Sequence, residues 1–152
     1  MELGLYPDAR NNPEARPFLF DSNKKVIIFS SRVHPGETPG SHVLNGCLDV
    51  LTDLRSDQGK LLRRNFVFKI IPTLNPDGVS RGYYRLDSLG QNLNRFYVDP
   101  LQKEQPTIWA AKKAISVYAQ KFHNMEMYID FHAHASKKGV FMFGNALQDP
   151  DR

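Results

Sequence analysis

The 152-residue sequence has a single cysteine, Cys47, which excludes an internal disulfide and a thiolate-rich structural metal site. No apolar run approaches the roughly 20 residues of a membrane span. The opening Met1-Glu2-Leu3-Gly4-Leu5 lacks the basic and apolar segments of a secretory signal. Internal repeats and low-complexity tracts are absent. Charge is nearly balanced, with 20 Lys and Arg against 16 Asp and Glu for a net +4. The basic residues fall in short pairs, Lys24-Lys25, Arg63-Arg64, Lys112-Lys113 and Lys137-Lys138, with no nucleic-acid motif beside them. These absences predict a soluble protein of a reducing compartment, cytoplasmic or nuclear, with neither nucleic acid nor membrane as partner. The mild positive balance would help collect an acidic substrate or partner.

With 41% hydrophobic and 24% charged residues, the chain has the composition of one ordinary globular domain or a piece of one. Residues 1–22 carry Pro7, Pro13 and Pro17 without periodicity and read as an irregular lead-in. A domain is expected over 23–152. The β-rich run 25–31 predicts a buried strand. Thr38-Pro39 reads as a helix N-cap followed by proline, and Val43, Leu44, Cys47, Leu48, Leu51 and Leu54 continue at helical spacing. Residues 58–64 read as a polar connection and 66–73 as a second strand, running into the turn signal Asn75-Pro76-Asp77-Gly78. A long aperiodic stretch reaches about Pro106, and loops of that length inside compact domains are usually functional or disordered. Its aromatic and arginine content argues against disorder. Residues 106–123 predict an amphipathic helix, and 127–132 and 139–143 a third and fourth strand. Strands alternating with helices indicate an α/β layer fold whose sites lie where strands end.

Two motifs carry the chemistry. His34-Pro35-Gly36-Glu37 follows the first strand, and Asp130-Phe131-His132-Ala133-His134 ends the third. A His and a Glu three positions apart can reach one small cation from a tight turn, and one distant His completes a three-ligand set. Three such ligands with a position left for water describe a catalytic zinc site. Asp130, His132 and His134 would share a face if the strand continued, so periodicity does not choose between the histidines. His42 and His123 read as surface or packing residues. Arg85 and the Asn94-Arg95 pair offer an amide and two guanidinium forks, which suit a free chain end because arginine grips carboxylates at two points.

Five ordered motifs, Val33–Pro39, Asn75–Val79, Arg81–Arg85, Asn92–Arg95 and Asp130–His134, resemble those of the zinc metallocarboxypeptidases, and in particular the cytosolic branch that shortens glutamylated tubulin tails. The resemblance implies a partial mixed-sheet α/β layer fold with helices packed on the sheet, truncated at both ends. It implies one zinc ion per chain held by His34, Glu37 and His132, with His134 outside. It also implies that Arg85 stabilises the scissile carbonyl's oxyanion and that Asn94 and Arg95 hold the substrate's terminal carboxylate. Asn92 stands where digestive relatives orient a ligand histidine with a carboxylate. The implied partner is an acidic or glutamylated protein tail such as that of tubulin, the protein acting as a monomer in its full-length form and sitting in the cytoplasm, at the cytoskeleton or in the nucleus. The resemblance places the general-base glutamate well after the third ligand, beyond Arg152; within the chain Glu2, Glu14, Glu104 and Glu126 do not fill that role, and Asp130 is placed to orient a neighbour. Two other readings stand beside this one: a non-catalytic module that binds carboxylate tails, and an aspartoacylase-like zinc deacylase.

Overall fold

The β-branched run at 25–31 becomes the centre of a sheet because it can be buried on both faces. A computed structural model describes residues 24–121 and 123–145 of the protein; the expected lead-in at 1–22 lies outside them. The described elements are β1 (Lys25–Ser31), α1 (Thr38–Thr52), α2 (Asp57–Asn65), β2 (Phe66–Ile71), α3 (Pro76–Ser80), α4 (Pro106–Ser116) and β3 (Met125–Phe131). The three strands lie in the order β2-β1-β3, and both pairings are parallel. Ser30 pairs with Ile71 on one side and Asp130 on the other, so all three strands end at one level.

Helices cover both sides of the sheet. Phe29 packs with Leu44 and Leu51 of α1, with Leu62 of α2 and with Ile129 and Phe131 of β3. Val26, Ile28 and Val67 pack with Ile115, Tyr118 and Tyr128. A third apolar cluster, Val33, Leu74, Leu93, Ile108 and Ala111, gathers loop residues and α4, and gives the 81–105 segment a foundation although it has almost no regular structure of its own.

Four expectations change. Residues 58–64 are not a connection but most of α2. Ser56 caps this helix, its Oγ accepting from the Gly59 amide at 3.1 Å, and Asp57 and Arg63-Arg64 sit at the ends that favour their charges. Residues 139–143 form no strand; Val140, Met142 and Phe143 are exposed, because β-propensity is expressed only against a neighbouring strand. Thr38 is the first residue of α1 rather than its cap. Glu37 holds the cap position, and its side chain makes no capping bond. The fourth helix ends at Ser116, and the chain continues as a π-helical turn over Val117–Lys121. His42 and His123 are exposed. Among the described residues no helix is long and apolar enough to cross a membrane.

Gly40, in the first turn of α1, marks a close approach of that helix to the sheet. A Cβ there would stand 2.7 Å from the Phe131 carbonyl oxygen, and backbone cannot yield as a side-chain tip can. Gly40→Ala should therefore destabilise the full-length protein by about 1–3 kcal/mol, the usual cost of overpacking. Gly46, in the same helix, has nothing within 4 Å of its Cβ position, so Gly46→Ala should be neutral or stabilise by up to about 1 kcal/mol. Thermal unfolding of both variants checks the contrast, and equal melting temperatures would contradict it.

Candidate metal centre

The turn after β1 is held in an uncommon conformation. Arg32 has φ +57°, a left-handed value that costs a non-glycine residue free energy unless its surroundings enforce it. Its guanidinium grips the Pro35 carbonyl through Nε at 2.9 Å and Nη2 at 2.6 Å, and donates to Ser41 Oγ at 3.0 Å. The Asn75-Pro76-Asp77-Gly78 motif supports this turn. Asn75 caps α3 through the Gly78 amide at 2.9 Å and donates to the Val33 carbonyl at 3.4 Å. Gly78 lies so close that a Cβ would be 2.5 Å from Pro35 Cγ. From the other side the Gly36 amide donates to the Tyr84 carbonyl at 2.8 Å, fixing the residue before Arg85.

His34, Glu37 and His132 consequently converge. One potential ligand atom from each lies within 4.8 Å of the others. Nδ1 of His34 is 2.8 Å from Glu37 Oε1, and Nδ1 of His132 is 2.9 Å from Glu37 Oε2, which also accepts the Ala133 amide at 2.9 Å. The far nitrogens are held as well: His34 Nε2 lies 3.0 Å from Asn92 Oδ1, and His132 Nε2 lies 2.8 Å from Asp130 Oδ2. The Asn94 amide donates to Asn92 Oδ1 at 3.2 Å, which fixes that oxygen as the acceptor.

Both rings therefore present both nitrogens to acceptors, whereas a neutral imidazole has one N–H to give. If Nε2–H donates to Asn92 or Asp130, each Nδ1 lone pair faces Glu37 and a cation belongs among them. Two imidazoles and a carboxylate suit zinc, and outer acceptors on the far nitrogens are the usual support of metal-binding histidines. Before metal arrives, the hydrogen bond to Asp130 chiefly holds the His132 pKa above its usual value, with Glu37 adding and burial opposing. Protons thus compete with metal for this ring.

Of the other predicted residues, Arg85 lies alongside, its Nη1 3.7 Å from Glu37 Oε1. Asn94 and Arg95 sit on the 3-10 turn Leu93–Arg95, directly after Asn92. Arg95 is exposed, and among the described hydrogen bonds its guanidinium donates only to the adjacent Asn94 carbonyl. His134 is exposed and stays out of the cluster. The strand stops at Phe131, and His134 Nδ1 accepts the Ser136 and Lys137 amides, each at 3.2 Å.

A group of hydroxyls escaped the sequence reading. Asp130 Oδ1 accepts from Ser30 Oγ at 2.6 Å, Ser30 Oγ meets the Tyr128 hydroxyl at 2.7 Å, and the Tyr97 hydroxyl lies 3.2 Å from that of Tyr128 and 3.5 Å from Asp130 Oδ2. Burial chiefly, and then the Asp130 charge, push both tyrosine pKa values up, so each keeps its proton. The period-2 spacing of Tyr128, Asp130 and His132 was the one available signal; its link to Ser30 needs the sheet register.

Fold and site together define a zinc-site protein of the α/β class. The chain belongs to the zinc carboxypeptidase family, whose pattern residues 11–137 match. It is 44% identical over 132 residues to cytosolic carboxypeptidase 6 of Mus musculus, covering 86% of this chain and 24% of that protein. To cytosolic carboxypeptidase-like protein 5 of Homo sapiens it is 50% identical over 111 residues, covering 73% of this chain and 12% of that one. The crystal structure of a metallo-carboxypeptidase from Burkholderia cenocepacia superimposes with a TM-score of 0.64 at 30% identity, covering 73% of this chain and 29% of that one. The chain thus spans less than a third of the length of these relatives.

Proposed function

We propose that the full-length protein is a zinc-dependent carboxypeptidase that removes C-terminal or branch-point glutamates from acidic protein tails, polyglutamylated tubulin being the expected substrate. The observation that carries this reading is the convergence of His34, Glu37 and His132 with Arg85 beside them. These three residues would hold the zinc, which when bound supplies Lewis acidity and eases the deprotonation of water. Asn92 and Asp130 keep the two imidazoles in the tautomer that leaves Nδ1 free. Arg85 is placed to stabilise the negative charge that develops on the scissile carbonyl oxygen. Asn94 and Arg95 would hold the terminal carboxylate and so restrict attack to the last residue.

Among the described residues the carboxylates that touch this cluster are Glu37 and Asp130, and both are engaged with histidines. The base that accepts water's proton belongs to the full-length proposal, where the family pattern puts it later in the sequence. The protein would work as a monomer in the cytoplasm, at the cytoskeleton or in the nucleus; the relatives' names support the cytoplasmic part, and the positive charge would draw in acidic tails.

Substrate selectivity provides the test. Loss of a charge-assisted carboxylate pair costs roughly 1.5–3 kcal/mol, so Arg95→Ala in the full-length enzyme should cut kcat/KM on a glutamylated free-acid peptide about ten- to hundredfold. C-terminally amidated peptide should be a poor substrate for wild type and variant alike. Wild-type cleavage of the amide as fast as the free acid would refute the carboxypeptidase reading.

A further inference from the structure

The turn that bears Asn94 and Arg95 is tied at both ends to the histidine cluster. At its start Asn92 Oδ1 meets His34 Nε2 at 3.0 Å and accepts the Asn94 amide at 3.2 Å. The turn is closed by the Arg95 amide on the Asn92 carbonyl at 3.0 Å and the Phe96 amide on the Leu93 carbonyl at 3.1 Å. Leu93 anchors it in the apolar cluster, with Phe96 and Tyr97 packed alongside. At its end the Tyr97 hydroxyl reaches Asp130 Oδ2 at 3.5 Å, the oxygen that holds His132 Nε2 at 2.8 Å, and the Tyr128 hydroxyl at 3.2 Å.

We infer that residues 92–97 form a strap coupling the carboxylate-binding turn to both metal-binding histidines, with Tyr97 the positioning residue on the His132 side. The inference rests on the zinc and carboxylate assignments proposed above. A segment of six residues with polar tethers at both ends and an apolar anchor between them cannot shift without pulling on His34 or Asp130. Metal that orders the two rings therefore also orders Asn94 and Arg95, and by linkage a carboxylate bound on the turn tightens the metal. Tyr128 differs from Tyr97 in one respect. It touches Ser30 and Tyr97 from β3 and carries no part of the turn, so it supports Asp130 without carrying the strap.

The two tyrosines can be separated in the full-length protein. Competition with a zinc chelator measures metal affinity, and kinetics at saturating zinc on a free-acid glutamylated peptide measure KM and kcat. Direct partners of metal ligands are worth 10–100-fold in affinity; one bond further out, Tyr97→Phe should weaken zinc about 3–10-fold and raise KM by a similar factor, with kcat within about twofold. Tyr128→Phe should weaken zinc comparably and leave KM within about twofold of wild type. Asn92→Ala cuts the other tether and should reproduce the double change, which keeps the test available if Tyr97→Phe is poorly produced. Unchanged zinc affinity or unchanged KM in Tyr97→Phe overturns the strap. Equal KM increases in Tyr97→Phe and Tyr128→Phe also overturn it, because general loosening would then account for both. Failure of the wild-type protein to bind zinc would instead refute the metal assignment itself.

Discussion

Replacing His132 by alanine is expected to abolish zinc binding and activity, while His134→Ala keeps both. His132 contributes one of three convergent donors, and the remaining His34 and Glu37 cannot close a stable set. The substitution also leaves Asp130 facing the space of the lost ring, so a mostly buried carboxylate loses its partner. Removing mere supporting partners already costs 10–100-fold in metal affinity, so losing the ligand should cost at least about 100-fold. Metal stabilises the transition state by several kcal/mol, and at about 1.36 kcal/mol per decade the full-length enzyme should slow at least about a thousandfold. His134 is exposed, its Nδ1 is taken up by Ser136 and Lys137 and its ring meets Phe141, so it stands apart from the convergent donors. Metal content of the two purified variants decides the matter. Zinc retained in His132→Ala and lost in His134→Ala would reverse the assignment.

Arg85→Ala should show a different signature, with metal retained and turnover lost. The guanidinium is only partly buried and 3.7 Å from Glu37 Oε1, near the cluster but not within it. The backbone bond from Gly36 to Tyr84 holds it there. A donor aimed at charge that appears only in the transition state contributes about 10²–10³ in kcat. KM should move little, since the ground-state substrate does not yet use the interaction. Arg85→Lys should recover only part of the loss, because an ammonium does not reproduce the planar fork. Steady-state kinetics at saturating zinc make the measurement, and a normal kcat in Arg85→Ala would remove Arg85 from the chemistry.

How much of this was legible in the sequence followed the range of each interaction. β1 was visible as an apolar run because a parallel strand buried on both faces has no polar side to show, and β2 because its half-buried residues are apolar apart from Lys69. The His34–Glu37 turn was visible because its donors are three residues apart. Helix α2 was hidden because its helical signals are a serine cap and end charges, and Leu62 is its one apolar side chain packed on the Phe29 cluster. The end of α4 was blurred because the π-helical turn still brings Tyr118 onto the side of the sheet reached by Ile115, so the apolar stripe runs on past the last regular turn. The Asn75 motif read as a turn, yet its larger role is to brace Val33 and Pro35 from a distance of some forty residues. Ser30 and Asp130 are a hundred residues apart and meet only through strand register, which no local pattern encodes.

The strand order β2-β1-β3 also governs when the site can exist during synthesis. β1 leaves the ribosome first, yet its two neighbours are encoded about 40 and 100 residues later. At 5–20 residues per second, β3 follows β1 by roughly 5–20 s. For that interval the central strand has an open hydrogen-bonding edge, and His34 and Glu37 wait without His132. Such high contact order makes closure of the sheet a late event, and the metal pocket closes with it. Zinc offered to the nascent chain meets an incomplete ligand set until β3 docks, so the ion can favour the paired strands β2-β1-β3 but cannot nucleate them.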